Sequence, residues 1–337
     1  MTSLRVDLQE ICEKALGVYR GAAIVSEPST GRILAMVSKP DFEPEEIADI
    51  WESLLADKED SRLVNRATQG YYPPGSTFKI LTSLAYIREH PGDYADYRFT
   101  CNGHFARGSE RISCFHGTVH GRVDFTQSFA KSCNSSFANI GLGLDREKFG
   151  KLLNDLYFNA PLPVSFPCNQ SACVVDGALA DEDMMQISIG QGKTQMTPLH
   201  LHLLTNAIAN GGSFHQPTLA DRIEAANGRI VKDFTADKGY RIMTEEETAV
   251  LTDMMREVVL TGTGKRLANA SYHAAGKTGS AEYNGVKEDS HAWFTGFAPA
   301  ESPEICVTVI IEGVGSGGEY AVPIAKRIFD AYFDAEE

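Results

Sequence analysis

The chain has 337 residues, with 31 Lys and Arg against 45 Asp and Glu, giving a formal net charge of −14. Apolar residues make up 43% and charged residues 23%, a globular mixture that excludes wholesale disorder and collagen-like repetition. The acidic balance argues against nucleic acid as the main partner, because neutralising phosphates needs clustered Lys and Arg.

No apolar run reaches the ~18–20 residues needed to span a bilayer. The first fifteen residues carry Asp7, Glu10 and Glu13, a helical pattern and not that of a signal peptide. Residues 5–17 read as a helix with Leu8, Ile11, Cys12, Ala15 and Leu16 on one side. Apolar runs at 21–26 and 32–38 flank a Pro-Ser-Thr-Gly turn and predict a hairpin. Residues 41–66 are acidic and partly helical. Pro73-Pro74-Gly75 is a breaker, and 77–89 reads as a helix apolar nearly all round, hence buried. The stretch 92–122 is rich in Gly, His and Cys and reads as irregular. Helical segments follow at about 124–157, 180–210 and 245–260. The period then changes. Residues 274–282, 291–298 and 305–312 read as strands, and 321–334 as a closing helix. Strands at both ends and helices in the middle predict an α+β fold, an antiparallel five-stranded sheet flanked by helices. The sheet region would take 1–40 and 265–337, and a mostly helical region 41–264. Length alone suggests roughly two domains or one large one.

Three short motifs carry chemistry. Ser76-Thr-Phe-Lys79 opens the 77–89 helix, where a serine commonly caps. A lysine three residues on shares its face and can take the serine proton if burial lowers its pKa. Ser132-Cys-Asn134 offers a hydroxyl to relay a proton and an amide to hold a substrate amide; it is equally an ordinary polar turn. Lys277-Thr278-Gly279, followed by Ser280, lies in a strand pattern. There a Lys and Thr can bind a carboxylate, and Gly279 admits close approach. Backbone N–H groups of Ser76 and Ser280 could form an oxyanion hole. Each motif is weak alone. In this order and spacing they resemble the signature of penicillin-binding proteins and class A β-lactamases, with Ser-Cys-Asn, the S-x-N form, where that signature has S-D-N. Competing signatures fail: neither Gly192-Lys193-Thr194 nor Gly276-Lys277-Thr278 has the upstream glycine of a phosphate loop, and no G-x-S-x-G elbow is present.

Longer matches sharpen this. The opening hairpin, Asn65-Arg66-Ala67, Tyr72 through Lys79, Ile189-Gly-Gln-Gly192, Ala209-Asn-Gly-Gly212, Gly276 through Glu282 and Ala292 through Pro299 resemble the transpeptidase domain of class B high-molecular-mass penicillin-binding proteins. The likeness covers nearly the whole chain. It implies one large catalytic domain over 1–337 with a serine β-lactamase/transpeptidase-like fold. It implies a D,D-transpeptidase that cross-links peptidoglycan stem peptides through an acyl-serine and is inhibited by β-lactams. Ser76 would be the nucleophile, Lys79 its base, Ser132 with Lys277 the proton relay, and Asn134 the positioning amide. Thr278, Gly279 and Ser280 would bind substrate. No cofactor is required for that chemistry. The implied partners are stem peptides, β-lactams, a glycosyltransferase and membrane proteins. The implied location is the extracytoplasmic face of a bacterial membrane, with an anchor upstream of residue 1. Elongation, septation and sporulation roles are all open. So are a serine β-lactamase, although no E-x-x-L-N loop follows the second motif, a non-catalytic β-lactam sensor, and a D,D-carboxypeptidase.

Cys101, Cys114, His116, His120 and Cys133 cluster within 33 residues. Three thiolates and an imidazole suit a closed zinc site. Some class B relatives resemble this in carrying zinc beside the active site, and His120, which precedes Gly121, is preferred to His116. A Cys101–Cys114 disulfide and unlinked thiols are the alternatives.

Overall fold

The computed structural model describes residues 1–234, 239–283 and 289–335. Helix α1 (Val6–Leu16) leads into the predicted hairpin, β1 (Gly21–Glu27) and β2 (Arg32–Lys39). Of the acidic stretch, Ile47–Ala56 is helical (α2), and α3 spans Lys79–Glu89. The segment expected to be irregular instead holds four short strands. β3 (Arg98–Cys101) pairs with β6 (Gly121–Asp124), and β4 (His104–Arg107) with β5 (Glu110–Ser113). Each has only four residues and half of the sixteen are exposed, so no sustained apolar alternation marked them in the sequence.

The helical middle is more broken than its composition suggests. Residues 124–157 form α4 (Phe125–Ala130), α5 (Asn134–Gly143) and α6 (Arg146–Asp155). Asp124, Cys133 and Asp145 each cap the helix that follows, and these caps set the breaks. Residues 180–210 form α7 (Asp181–Ser188) and α8 (Pro198–Ala209). Gly190 and Gly192, at φ 75° and 69°, turn the chain between them. Small ribbons β7 (Ser213–Phe214) with β10 (Tyr240–Arg241) and β8 (Arg222–Glu224) with β9 (Ile230–Asp233) precede α9 (Glu245–Leu260). The chain closes with β11 (Ala275–Ala281), β12 (His291–Ala298), β13 (Ile305–Ile311) and α10 (Ala321–Asp334).

The five long strands form one antiparallel sheet in the order β11-β12-β13-β1-β2, as the α+β reading expected. Both faces are buried. Ala23, Val25, Val307 and Val309 pack with residues of α1 and α10. Ala22, Ile24, Cys306 and Ile310 point into the core shared with the helical middle. Two buried faces explain why these strands read as nearly continuous apolar runs. Among the described residues, no helix is long and apolar enough to cross a membrane.

A polar seam crosses the α8 side of the sheet. His202 contacts Thr308 Oγ1 at 3.0 Å and Ser26 Oγ at 2.7 Å, and Ser26 donates to Asn206 Oδ1 at 3.0 Å. Burial pushes His202 down to about 3 and His200 to about 4. Both stay neutral in the folded protein, whereas in the unfolded chain they take protons below about 6.5. Stability is therefore full above that pH and falls as pH drops toward the folded values. Each histidine costs about 2 kcal/mol by pH 5. Thermal denaturation between pH 7 and 5 should show a falling midpoint, with a shallower slope for His202→Gln. A flat profile would contradict this account.

Candidate active site

The nucleophile segment is built by a conformational constraint. Gly75 takes φ 53°, and the residues from Gly75 to Phe78 form a single 3-10 turn before α3 begins at Lys79. Ser76 is therefore not the N-cap of a regular α-helix; no side-chain cap is present, and Thr77 Oγ1 instead donates to the Pro74 carbonyl at 2.7 Å. Ser76 stays half-buried, facing a cleft of about 240 Å³.

Edge strand β11 runs against this turn. A Cβ on Gly75 would stand 2.8 Å from the Ser280 carbonyl oxygen, and one on Gly279 would stand 3.0 Å from the Pro74 oxygen. Only glycine permits both the close approach and, at Gly75, the left-handed backbone. The same cleft is lined by Ser132 and Asn134, by Thr278 and Ser280, and by Thr263 and Ser316.

Ser132 sits between two fully buried lysines. Lys79 Nζ lies 2.8 Å from the Ser132 carbonyl, 3.3 Å from Ser132 Oγ and 2.7 Å from Asn134 Oδ1. Lys277 Nζ donates to Ser132 Oγ at 3.0 Å and to the Thr278 carbonyl at 2.9 Å. Phe137 lies beneath Lys79 and Phe129 beneath Lys277, with ring centroids 5.2 and 5.4 Å away. Burial lowers Lys79 to about 8, against a smaller upward pull from Cys133 and Cys114. Burial first, and the Lys79 charge second, push Lys277 well below its usual value. Two cations this close do not both stay charged easily, so an amine able to accept a proton is available near neutral pH. All the residues expected from the three motifs thus converge. Ser132 itself takes φ 54°, an uncommon conformation for a non-glycine residue, between the end of α4 and the start of α5.

Several supporting residues carried no motif signal. Trp293, fully buried on β12, donates from Nε1 to the Pro73 carbonyl at 3.1 Å and so holds the turn before Ser76. Tyr72 Oη donates to Glu312 Oε1 at 2.7 Å, and Arg66 Nε donates to the same oxygen at 2.8 Å. Burial works to raise the Glu312 carboxyl, but the Tyr72 hydroxyl and Arg66 guanidinium outweigh it and hold it below the usual value. Arg66 and Tyr72 lie in segments that carry the family resemblance, but nothing in the sequence tied them to Glu312.

The cysteine cluster lies directly behind Ser132. Cys101 Sγ is 3.6 Å from Cys114 Sγ and 3.4 Å from His120 Nδ1, and Cys114 Sγ is 3.7 Å from Cys133 Sγ. The four ligand atoms all lie within 4.8 Å of one another. His116 is not among them. All seven cysteines are free, so the Cys101–Cys114 disulfide alternative is not realised; its sulfurs stand well beyond the ~2.05 Å of such a bond. The hydrogen bond between Cys114 and Cys133 pulls the first thiol down and drives the second up. Cys133 also caps α5, its Sγ accepting from the Ser136 N–H at 3.4 Å.

Comparisons with known proteins place the chain in a family. The family model described as penicillin binding protein transpeptidase domain matches residues 21–330. The chain is 31% identical to the peptidoglycan D,D-transpeptidase PbpA of Mycolicibacterium smegmatis, covering 98% of this chain and 71% of that protein. It is 29% identical to the peptidoglycan D,D-transpeptidase MrdA of Acinetobacter baumannii, covering 97% of this chain but only 53% of that one. The D,D-transpeptidase domain of a peptidoglycan glycosyltransferase from Eggerthella lenta superposes with a TM-score of 0.89 at 28% identity, over 99% of this chain and 82% of that one. Penicillin-binding protein A from M. tuberculosis, solved as a ceftriaxone acyl-enzyme, gives 0.87 at 26% identity, over 98% and 79%. With a family match across nearly its whole length and the fold of these relatives, the chain belongs to the penicillin binding protein transpeptidase domain family.

Proposed function

We propose that the chain is the catalytic module of a peptidoglycan D,D-transpeptidase, acting over 1–337 as one unit. The observation that carries this is the placement of Ser132 Oγ between Lys79 and Lys277, in the cleft that Ser76 lines. Ser76 Oγ attacks the carbonyl carbon of the penultimate D-alanine while its proton passes to neutral Lys79. Backbone N–H groups of Ser76 and Ser280 receive the oxyanion, a role supported by the close approach of Gly75 to Ser280. As the C–N bond breaks, Ser132 gives its proton to the departing amine and is resupplied by the lysines. Asn134 positions the peptide, and Lys277, Thr278 and Ser280 hold the terminal carboxylate, with Gly279 letting the strand come close. An amine of a second stem peptide attacks the acyl-serine, forming the cross-link and freeing Ser76. β-Lactams acylate the same oxygen.

A donor and an amine acceptor stem peptide supplied together test this. The expected products are the cross-linked dimer and free D-alanine. Free D-alanine without dimer would make the protein a carboxypeptidase. Stable acylation without turnover would make it a sensor, and prompt recovery from penicillin a β-lactamase. Its setting in the cell follows from this substrate: the outer face of a bacterial membrane, beside a glycan-polymerising partner.

We also propose that Cys101, Cys114, His120 and Cys133 hold zinc. A tetrahedral ion with ~2.3 Å arms sets sulfurs about 3.8 Å apart, close to the spacings found here. A divalent cation also lets all three crowded sulfurs ionise, which the thiols alone resist. Bound there, the metal would brace the turn carrying Ser132 and take no part in acyl transfer. Protein purified without added metal should contain about one zinc per chain, lost in Cys133→Ser together with thermal stability. Metal-free, fully stable protein would remove the site.

A further inference from the structure

The cleft is electrostatically unlike the rest of the protein. The chain carries 45 acidic residues, yet none of the described residues lining the cleft is Asp or Glu. Lys131, exposed and adjacent to Ser132, is a lining residue. So is Thr263, which follows α9 and is half-buried. Its N–H donates to the Ala130 carbonyl at 3.3 Å, next to Lys131, and its Oγ1 lies 2.5 Å from Thr278 Oγ1. Thr263 thus joins the end of α4 to the carboxylate-binding strand.

The proton count gives this contact a direction. A threonine hydroxyl has one proton. If Thr278 spends that proton on a substrate carboxylate, the short contact requires Thr263 to donate to Thr278. Donation from Thr263 polarises the Thr278 hydroxyl and fixes its rotor toward the ligand. Hydrogen bonds to charged groups are the stronger class, so the effect is selective for an ionised carboxylate. Lys131 adds an exposed positive charge at the same wall, attractive over the ~10 Å on which salt has not yet screened it.

We propose that Thr263 and Lys131 are specificity determinants for a free, ionised C-terminal carboxylate on the acyl donor. Thr263 acts as a positioning residue through Thr278, and Lys131 through its field. The proposal rests on the transpeptidase reading above. It predicts that donors whose terminal carboxylate is esterified or amidated are rejected by these two residues.

The test uses two N-acyl-D-alanyl thioesters, one releasing thioglycolate and the other its methyl ester, with kcat/KM measured for each. The wild type should prefer the acid. Thr263→Val should lower the acid-to-ester ratio about tenfold, and Thr263→Ser should restore it. Lys131→Ala should lower the ratio a few-fold at low salt, with the difference shrinking as salt is added, and Lys131→Glu should lower it further. An unchanged ratio in both Thr263→Val and Lys131→Glu would overturn this inference alone. So would an equal loss on both donors that Thr263→Ser fails to rescue, since that is what a purely structural role gives. Absence of any acyl-enzyme on the wild type would overturn the transpeptidase reading, and this inference with it.

Discussion

Alanine in place of Ser76 should leave no covalent penicilloyl adduct by intact mass, while the wild type gains one. The loss is expected to be complete within detection, because removing a nucleophile costs on the order of 10⁶ in rate where it has been measured. The neighbouring serine hydroxyls are already held in other hydrogen bonds. Ser132 Oγ is already engaged by Lys79 and Lys277, and Ser280 Oγ accepts from the Gly317 N–H at 3.1 Å. The variant should fold normally, since Ser76 makes no cap and is only half-buried. An adduct persisting on Ser76→Ala would place the nucleophile elsewhere.

Lys79→Met should retain the fold and lose acylation by roughly 10³-fold, within the range of a positioned general base. The pH profile is the sharper measure. Lys79 is brought down to about 8, and only its neutral form accepts the serine proton. Wild-type acylation should therefore rise nearly tenfold per unit below that value and level off above it. Lys79→Met should lose that limb. A wild-type rate flat between pH 6 and 9 would contradict a Lys79 base titrating near 8. Removing Lys79 also uncovers Lys277, whose depressed value owes something to the Lys79 charge. In Lys79→Met the Lys277 amine should titrate higher.

The fold was legible where burial was simple. Strands with both faces covered, such as β1 and β13, show as apolar runs, but their pairing with each other was not legible, because β2, β11 and β12 are as long. The exposed ribbons β3 to β6 escaped for the opposite reason. Their order comes from turns and the sulfur cluster, not from an apolar face. The breaks inside the helical middle depended on side-chain caps at Asp124, Cys133 and Asp145; the two aspartates read equally well as solvent-facing helix positions, and a cysteine is not a usual cap.

The amino-acid sequence by itself determined which residues are candidates for the chemistry. Ser76, Lys79, Ser132, Asn134 and Lys277 through Ser280 stand in an order and spacing that the fold must respect. What it could not determine is how a lysine amine comes to be neutral, and so able to accept a proton, near neutral pH. That depends on both amines being buried against Phe137 and Phe129 and on one hydroxyl being shared between them. Nor could it show Trp293 and the Arg66–Glu312–Tyr72 anchor holding the nucleophile turn, or Thr263 behind Thr278. Local sequence fixes chemical identity. Desolvation and hydrogen-bond direction arise only when segments separated by 15 to 246 positions close around one another.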